Sequence, residues 1–139
     1  MSLQLYPVPA EDIEKSRYKG KNAKRLLVVL PEMDIRKYFE LLSKILRAVS
    51  FDIDSDAHLL TLEQDESIAL FSSPALSDYD RIMALGVPTK SLGLSLDLQG
   101  GVQRLETVSV IVGPSLDRIS GDDKVKRAFW SILKSEFTV

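Results

Sequence analysis

The residue types able to do chemistry gather in four places. They are Asp52-Ile-Asp-Ser-Asp56 with His58 and Glu63 behind it, the turn Gly113-Pro114-Ser115, and the carboxylate pairs Asp78/Asp80 and Asp122/Asp123. The first follows the ligand order of a calcium loop, with Glu63 eleven positions after Asp52. Such a loop needs glycine at its sixth position to turn sharply, and Ala57 stands there. The residues that follow, His58-Leu59-Leu60-Thr61-Leu62, read as a strand, so the expectation is an acidic turn between a helix and a strand. His58 is the single histidine of the chain. A catalytic triad needs a nucleophile, a base and an orienting acid brought together, and no G-x-S-x-G supplies the nucleophile. His58 therefore reads as a partly exposed structural residue at the start of a strand. Paired carboxylates can drive glycoside hydrolysis. Here Asp78/Asp80 read as a helix surface and Asp122/Asp123 as a helix cap.

Phosphate chemistry is the next test. A phosphate cradle needs a glycine-rich loop whose N–H groups converge at a helix start. Gly100-Gly101 precedes a strand pattern, so it reads as a turn. Gly113-Pro114 follows a strand and leads toward a helix, but it lacks the further glycines of a dinucleotide fingerprint and the Lys-Ser/Thr of a P-loop. The loop has the position of a phosphate site without its equipment, which predicts a structural connection and no cofactor. With no cysteine in the chain, disulfides, thiolate nucleophiles and sulfur-ligated zinc are excluded.

The elements that would position these groups follow from periodicity. Arg25 to Leu30 is a short apolar run of the kind buried on both faces of a parallel sheet. Ile35, Tyr38, Phe39, Leu42, Ile45, Leu46 and Val49 then recur at helical spacing, with Asp34 as N-cap or first-turn acid. His58 to Leu62 is the second strand, and Ser67 to Phe71 fits a brief strand or one helical turn. Leu76, Tyr79, Ile82 and Met83 predict a helix over Pro74 to Leu85, closed by Gly86 and Pro88. Leu92 to Leu98 alternates as a third strand, and Thr107 to Val112 is the fourth. Asp123 to Phe137 is the last helix, with Ser120 and Asp122 as capping residues. Strands alternating with helices predict a three-layer α/β domain with a mostly parallel four-stranded sheet and helices on both faces. The expected core is Leu27, Val29, Phe39, Leu42, Ile45, Leu60, Ile82, Leu94, Val110, Phe129 and Leu133.

Residues 1–23 hold glycine and proline breakers without a sustained period, which predicts a flexible arm ahead of a single domain over 24–139. The arm carries one apolar cluster, Leu3, Leu5, Tyr6 and Val8. Behind a formal net charge of −2 lies an uneven distribution. Lys15, Arg17, Lys19, Lys21, Lys24 and Arg25 crowd the segment before the first strand, a composition suited to a solvated lead-in or to indirect or weak nucleic-acid contact. No apolar run reaches the ~20 residues that span a bilayer, and the first residues lack the basic, apolar, small order of a secretory signal. The expected setting is the cytoplasm, away from membranes. Trp130, the single tryptophan, falls beside the apolar face of the last helix. It serves the core or anchors a partner, since aromatic side chains dominate interface hot spots.

The stretch VSVIVGPSLDRISGDDKVKRAFWSIL, residues 108–133, resembles the C-terminal segment of the psi subunit of bacterial DNA polymerase III. That family shows a strand, a small-Pro-small-Leu turn, a polar linker and a basic helix with Ala-x-Trp. Pro114, Ser115 and Leu116 fall on the turn, Lys126 on a basic position, and Ala128 and Trp130 on the Ala-x-Trp. RLLVVLPEMD is similar to the family's first core strand and acidic turn. LLSKILRAVSFDIDSDAHLLTL is similar to its helix, connection and second strand. The resemblance implies a non-catalytic accessory of the replicative clamp loader. It implies docking on a clamp-loader ATPase subunit through the N-terminal arm, with Leu3, Leu5, Tyr6 and Val8 as anchors in place of the family's aromatic, glutamine-rich opening. It also implies that the folded domain, through residues such as Lys126 and Trp130, binds a chi-like subunit linked to single-strand-binding protein. The alternative is a nucleotide- or nucleobase-binding enzyme of glycosylase-like α/β fold. Its pocket would be lined by Pro31 to Asp34, Ser72 to Pro74 and Gly113 to Ser115 at the C-terminal ends of the strands.

Overall fold

A computed structural model describes residues 17–64, 66–68, 70, 78–87, 89–93, 101–105 and 108–137. Its centre is β1 (Leu26–Pro31), whose first five residues are buried without interruption. Such a run has no solvent face to offer, so it takes neighbours on both edges and packing on both faces. β2 (Ala57–Leu62) pairs with it in parallel, Leu26 opposite Ala57, and β3 (Arg81–Leu85) pairs on the other edge, Leu27 opposite Ile82. β5 (Val108–Gly113) continues the parallel set, with Ile82 opposite Val110. β4 (Gly101–Leu105) closes the edge antiparallel to β5, giving a five-stranded sheet in the order β2-β1-β3-β5-β4. The expected α/β fold with a mostly parallel sheet is present: four strands are parallel and the fifth is an antiparallel edge.

Alternation along the strands sorts the core. Leu26, Val28, Leu30, Met83, Leu85 and Ile111 point to one face and pack against α1 (Glu32–Ala48), α2 (Leu116–Gly121) and α3 (Asp123–Phe137). Leu27, Val29, Leu60, Ile82 and Val110 point to the other, where Tyr18, Ile68, Leu70, Tyr79, Val87 and Leu92 cover them. The helices expected on both faces thus gather, among the described residues, on one, and irregular segments with a 3-10 turn over Thr89–Leu92 cover the second.

Several sequence expectations change. The helix predicted over Pro74 to Leu85 is not there over residues 81–85, which form β3 between β1 and β5; 74–77 lie outside the described residues. Arg-Ile-Met-Ala-Leu is too short for periodicity to separate a buried strand from a helical turn, and pairing on both edges decides it. Leu92, predicted to open a strand, ends the 3-10 turn, and residues 94–98 with Leu94 lie outside the described residues. Gly101, read as a break, starts β4. Phe39, predicted for the core, is 43% exposed. The cause is local: Tyr38 leaves helical geometry (φ −121°, ψ 26°), which kinks α1 and breaks the phase linking Ile35 to Leu42. Leu42 and Leu46 beyond the kink are buried as expected. Asp122 caps α3, its Oδ1 accepting from the Lys124 N–H at 2.9 Å, whereas Ser120 lies inside α2.

The flexible arm predicted through residue 23 does not extend over 17–23. Lys19 exchanges backbone hydrogen bonds with Leu59, and the N–H groups of Lys21 and Ala23 donate to the carbonyls of Asp54 and Ser55. This segment covers the outer edge of β2, which shields strand donors that would otherwise stay open. Residues 1–16, with Leu3, Leu5, Tyr6 and Val8, lie outside the described residues.

Candidate functional site

In an open parallel sheet, ligands bind beyond the C-terminal ends of the strands, where the strand order reverses. Here the chain passes from β1 outward to β2, then back past β1 to β3, so the reversal lies between β1 and β3. Two distinct arrangements occupy that end of the sheet.

The first fills the space between the start of α1 and the loop after β5. Ser115 adopts extended geometry and its Oγ accepts from the Arg118 N–H at 3.2 Å, capping α2. The carboxylate of Asp34, from the first turn of α1, lies beside the Leu116 N–H. Tyr38 Oη donates to Asp117 Oδ1 at 2.6 Å. Burial raises the Asp34 carboxyl above its ordinary range, the charge of Asp117 raises it further, and the Leu116 N–H opposes both. The hydrogen bond to Asp117 raises the Tyr38 phenol. The loop that had the position of a phosphate site is therefore flanked by the chain's own acids, Asp34 and Asp117. The backbone leaves no slack either: the Gly86 N–H donates to the Gly113 carbonyl at 3.1 Å, and Gly86 sits at φ +73°. A Cβ on Gly86 would lie 2.8 Å from Ser115 Cα.

The second arrangement is a crevice of about 430 Å³ lined by Pro31, Glu32, Met33, Leu62, Glu63, Gln64, Glu66, Gly86, Val87 and Ser91. Its walls are mostly apolar, and its polar groups are acids, an amide and a hydroxyl. Two of the carboxylates are held by cations from outside the lining: Arg17 grips Glu66 with two hydrogen bonds at 2.7 and 2.9 Å, and Arg36 meets Glu32 at 2.7 Å. The Arg17 hydrogen bond is the main reason the Glu66 carboxyl stays below its ordinary range. Glu63 is exposed, and among the described residues its carboxylate has no hydrogen-bond or ion-pair partner.

The other sequence-singled residues take structural roles. The acidic turn folds on itself: Asp52 Oδ2 accepts from the N–H groups of Asp54 and Ser55, and Asp56 Oδ2 accepts from the Asp52 N–H at 2.8 Å. Those backbone donors, Ser55 first, hold the Asp52 carboxyl low. Among the described residues no group of three or more His, Asp or Glu is placed to hold a metal ion. His58 Nδ1 and the Tyr79 hydroxyl stand 2.7 Å apart, with Tyr18 and Tyr79 rings around the imidazole. Burial lowers the His58 pKa. This cluster covers the second face of the sheet at the opposite strand ends, away from both arrangements.

Of the predicted partner-binding residues, Lys126 is exposed and Trp130 is half-buried against the helical core cluster. They stand four apart on α3, so they share one helix face, and neither lines the crevice. Among the basic residues of the lead-in, Arg17 pairs with Glu66, Lys24 approaches Asp56 at 3.7 Å and Arg25 meets Asp80 at 3.0 Å. Pro31, Glu32 and Met33 do line the crevice as the enzyme alternative required, whereas Gly113 to Ser115 pack behind Gly86 and 72–74 lie outside the described residues. Glu66 and Val87 were not singled out from sequence, and Glu63 only as the closing position of a calcium-loop pattern, because nothing local marks them for this crevice; only the strand order brings them together. Among the described residues no helix is long and apolar enough to cross a membrane. No protein-family model matches the chain, and no curated protein matches it.

Proposed function

We propose that the protein is a non-catalytic, cytoplasmic accessory subunit of the replicative clamp loader, joining the loader to a chi-like partner linked to single-strand-binding protein. The observation that carries this reading is the loop after β5 closed by the chain's own groups, Ser115 Oγ accepting from the Arg118 N–H and Tyr38 Oη donating to Asp117. An enzyme that held a nucleotide beside this loop would want its N–H donors for a phosphate, and the acids Asp34 and Asp117 beside them repel one. The segment bearing the psi-like residues supports the same reading. Its Pro-Ser-Leu turn is a capped connection with Leu116 fully buried, and it delivers α3 with Trp130 half-covered and Lys126 in solvent. A half-exposed aromatic beside a cation is suited to an interface anchor. The enzyme alternative gains nothing from the crevice, whose acidic lining disfavours phosphates.

Titration calorimetry of the full chain against a chi-like subunit, and separately against the clamp-loader ATPase subunits, tests the proposal. Binding to the first should weaken by about 2–4 kcal/mol with Trp130→Ala, the range for a hot-spot aromatic. Binding to the second should disappear when residues 1–16 are removed. Lack of heat with either partner, or hydrolytic activity on nucleotides or nucleobases, would overturn it.

A further inference from the structure

The crevice at the ends of β1, β2 and β3 has a chemistry of its own, whichever assembly the protein belongs to. Its ~430 Å³ falls within the ~300–1,000 Å³ of functional ligand sites. Pro31, Leu62 and Val87 give it apolar walls, with Leu62 and Val87 themselves 3% and 6% exposed. Among the described residues no lysine or arginine lines it, while three glutamates do. Arg36 pairs with Glu32 and Arg17 with Glu66 from outside, and Arg17 also feels the charge of Glu63, so two cations face three carboxylates and the exposed Glu63 carries the excess negative charge that an incoming group meets. At its lip Met33 is 73% exposed, the most exposed large apolar side chain of the described residues. A flexible thioether in that position adapts to varied apolar shapes.

We propose that this crevice docks a peptide segment of a protein partner that carries a large apolar side chain beside a lysine or arginine. The apolar side chain enters between Leu62 and Val87, and the cation stands opposite Glu63. Charge complementarity selects this occupant: a phosphate or an acidic peptide would bring a further anion to a lining whose described residues carry carboxylates and no cation. Met33 extends the apolar contact beyond the cavity mouth, which suits a chain running across the lip better than a small amine enclosed within it.

Fluorescence anisotropy of the full chain with fluorescein-labelled short peptides tests this. Each peptide carries one central Leu, Met or Phe, flanked by lysines in one set and by glutamates in the other. The lysine set should bind about tenfold or more tighter than the glutamate set, with the gap narrowing as salt rises. Glu63→Lys should weaken the lysine set about fivefold or more, the scale of a partly exposed charge contact. Met33→Ser should weaken both sets while thermal melting stays unchanged, because both substituted residues lie in solvent. Equal binding of the two sets, insensitivity to Glu63→Lys, or no binding at about millimolar peptide would overturn the proposal. Hexylamine binding as tightly as the lysine peptides would also overturn it, by making the crevice a small-amine site.

Discussion

Replacing Gly113 with alanine isolates one contact that fixes α3 on the sheet. Gly113 ends β5 beneath Phe129, and a Cβ there would sit 2.6 Å from Phe129 Cε1 and 2.9 Å from Leu85 Cδ2. Carbon atoms rest about 3.5–4.0 Å apart, so the methyl overlaps the ring edge by roughly 1 Å. The ring has little room to yield, since Phe129 is 3% exposed and Leu85 is fully buried. In an open site Gly→Ala stabilises by about 0.4–1 kcal/mol through the unfolded chain, whereas overpacking costs about 1–3 kcal/mol. The clash outweighs the entropy gain, and the expected net loss is roughly 0.5–2 kcal/mol. Phe129→Leu removes the ring edge and should cost about 1–2 kcal/mol alone as a large-to-small core change. In the double variant the methyl finds space, so the combined loss should fall short of the sum by about 1 kcal/mol. Urea unfolding followed by Trp130 fluorescence and by far-ultraviolet circular dichroism measures all four corners of the cycle. A stabilised Gly113→Ala, or strictly additive losses, would refute the packing argument and mean that α3 sits farther from β5.

Truncation should separate the lead-in into two parts: removing residues 1–16 leaves the melting temperature nearly unchanged, whereas removing 1–23 takes away the Arg17–Glu66 pair and the hydrogen bonds of 19–23 to β2 and lowers it by several degrees. Glu66→Gln should cost about 1 kcal/mol or less at neutral pH, since the pair is partly exposed and screened. The Glu66 pKa is depressed in the folded state, so its contribution is present above the ordinary glutamate value of about 4.3 and fades as pH falls through the lowered folded value. Asp34 behaves oppositely. Its folded pKa is raised, so its favourable contribution is present below the ordinary aspartate value and is lost as pH rises through the raised one. Asp34→Asn keeps an oxygen beside the Leu116 N–H and removes the partly buried charge near Asp117, so it should stabilise at neutral pH and lose that advantage in acid. Urea midpoints across pH 3–8 check both signs by the same linkage.

What the sequence determined by itself was local and strongly patterned. The apolar run of β1, the ends of α3, the second half of α1 and the self-capped acidic turn were legible, because each follows from residues within a few positions of one another. Ala57 and the strand pattern after it argued for an acidic turn over a calcium loop, and the missing glycines and Lys-Ser/Thr argued against a phosphate cradle. The identity of β3 was decided by tertiary structure: four apolar residues behind an arginine suit a strand or a helical turn, and only two parallel neighbours make the strand the better choice. Phe39 was lost to solvent through a kink at Tyr38, whose hydroxyl bonds to Asp117 seventy-nine positions away, a partner invisible to periodicity. Residues 17–23 looked like a breaker-rich arm because their hydrogen bonds run to β2 and its preceding turn rather than to each other. The crevice belongs wholly to the topology. Pro31, Glu63, Glu66 and Val87 come together because the strand order reverses beside β1, and strand order is set by which buried edges can pair, a property of the whole sheet rather than of any segment.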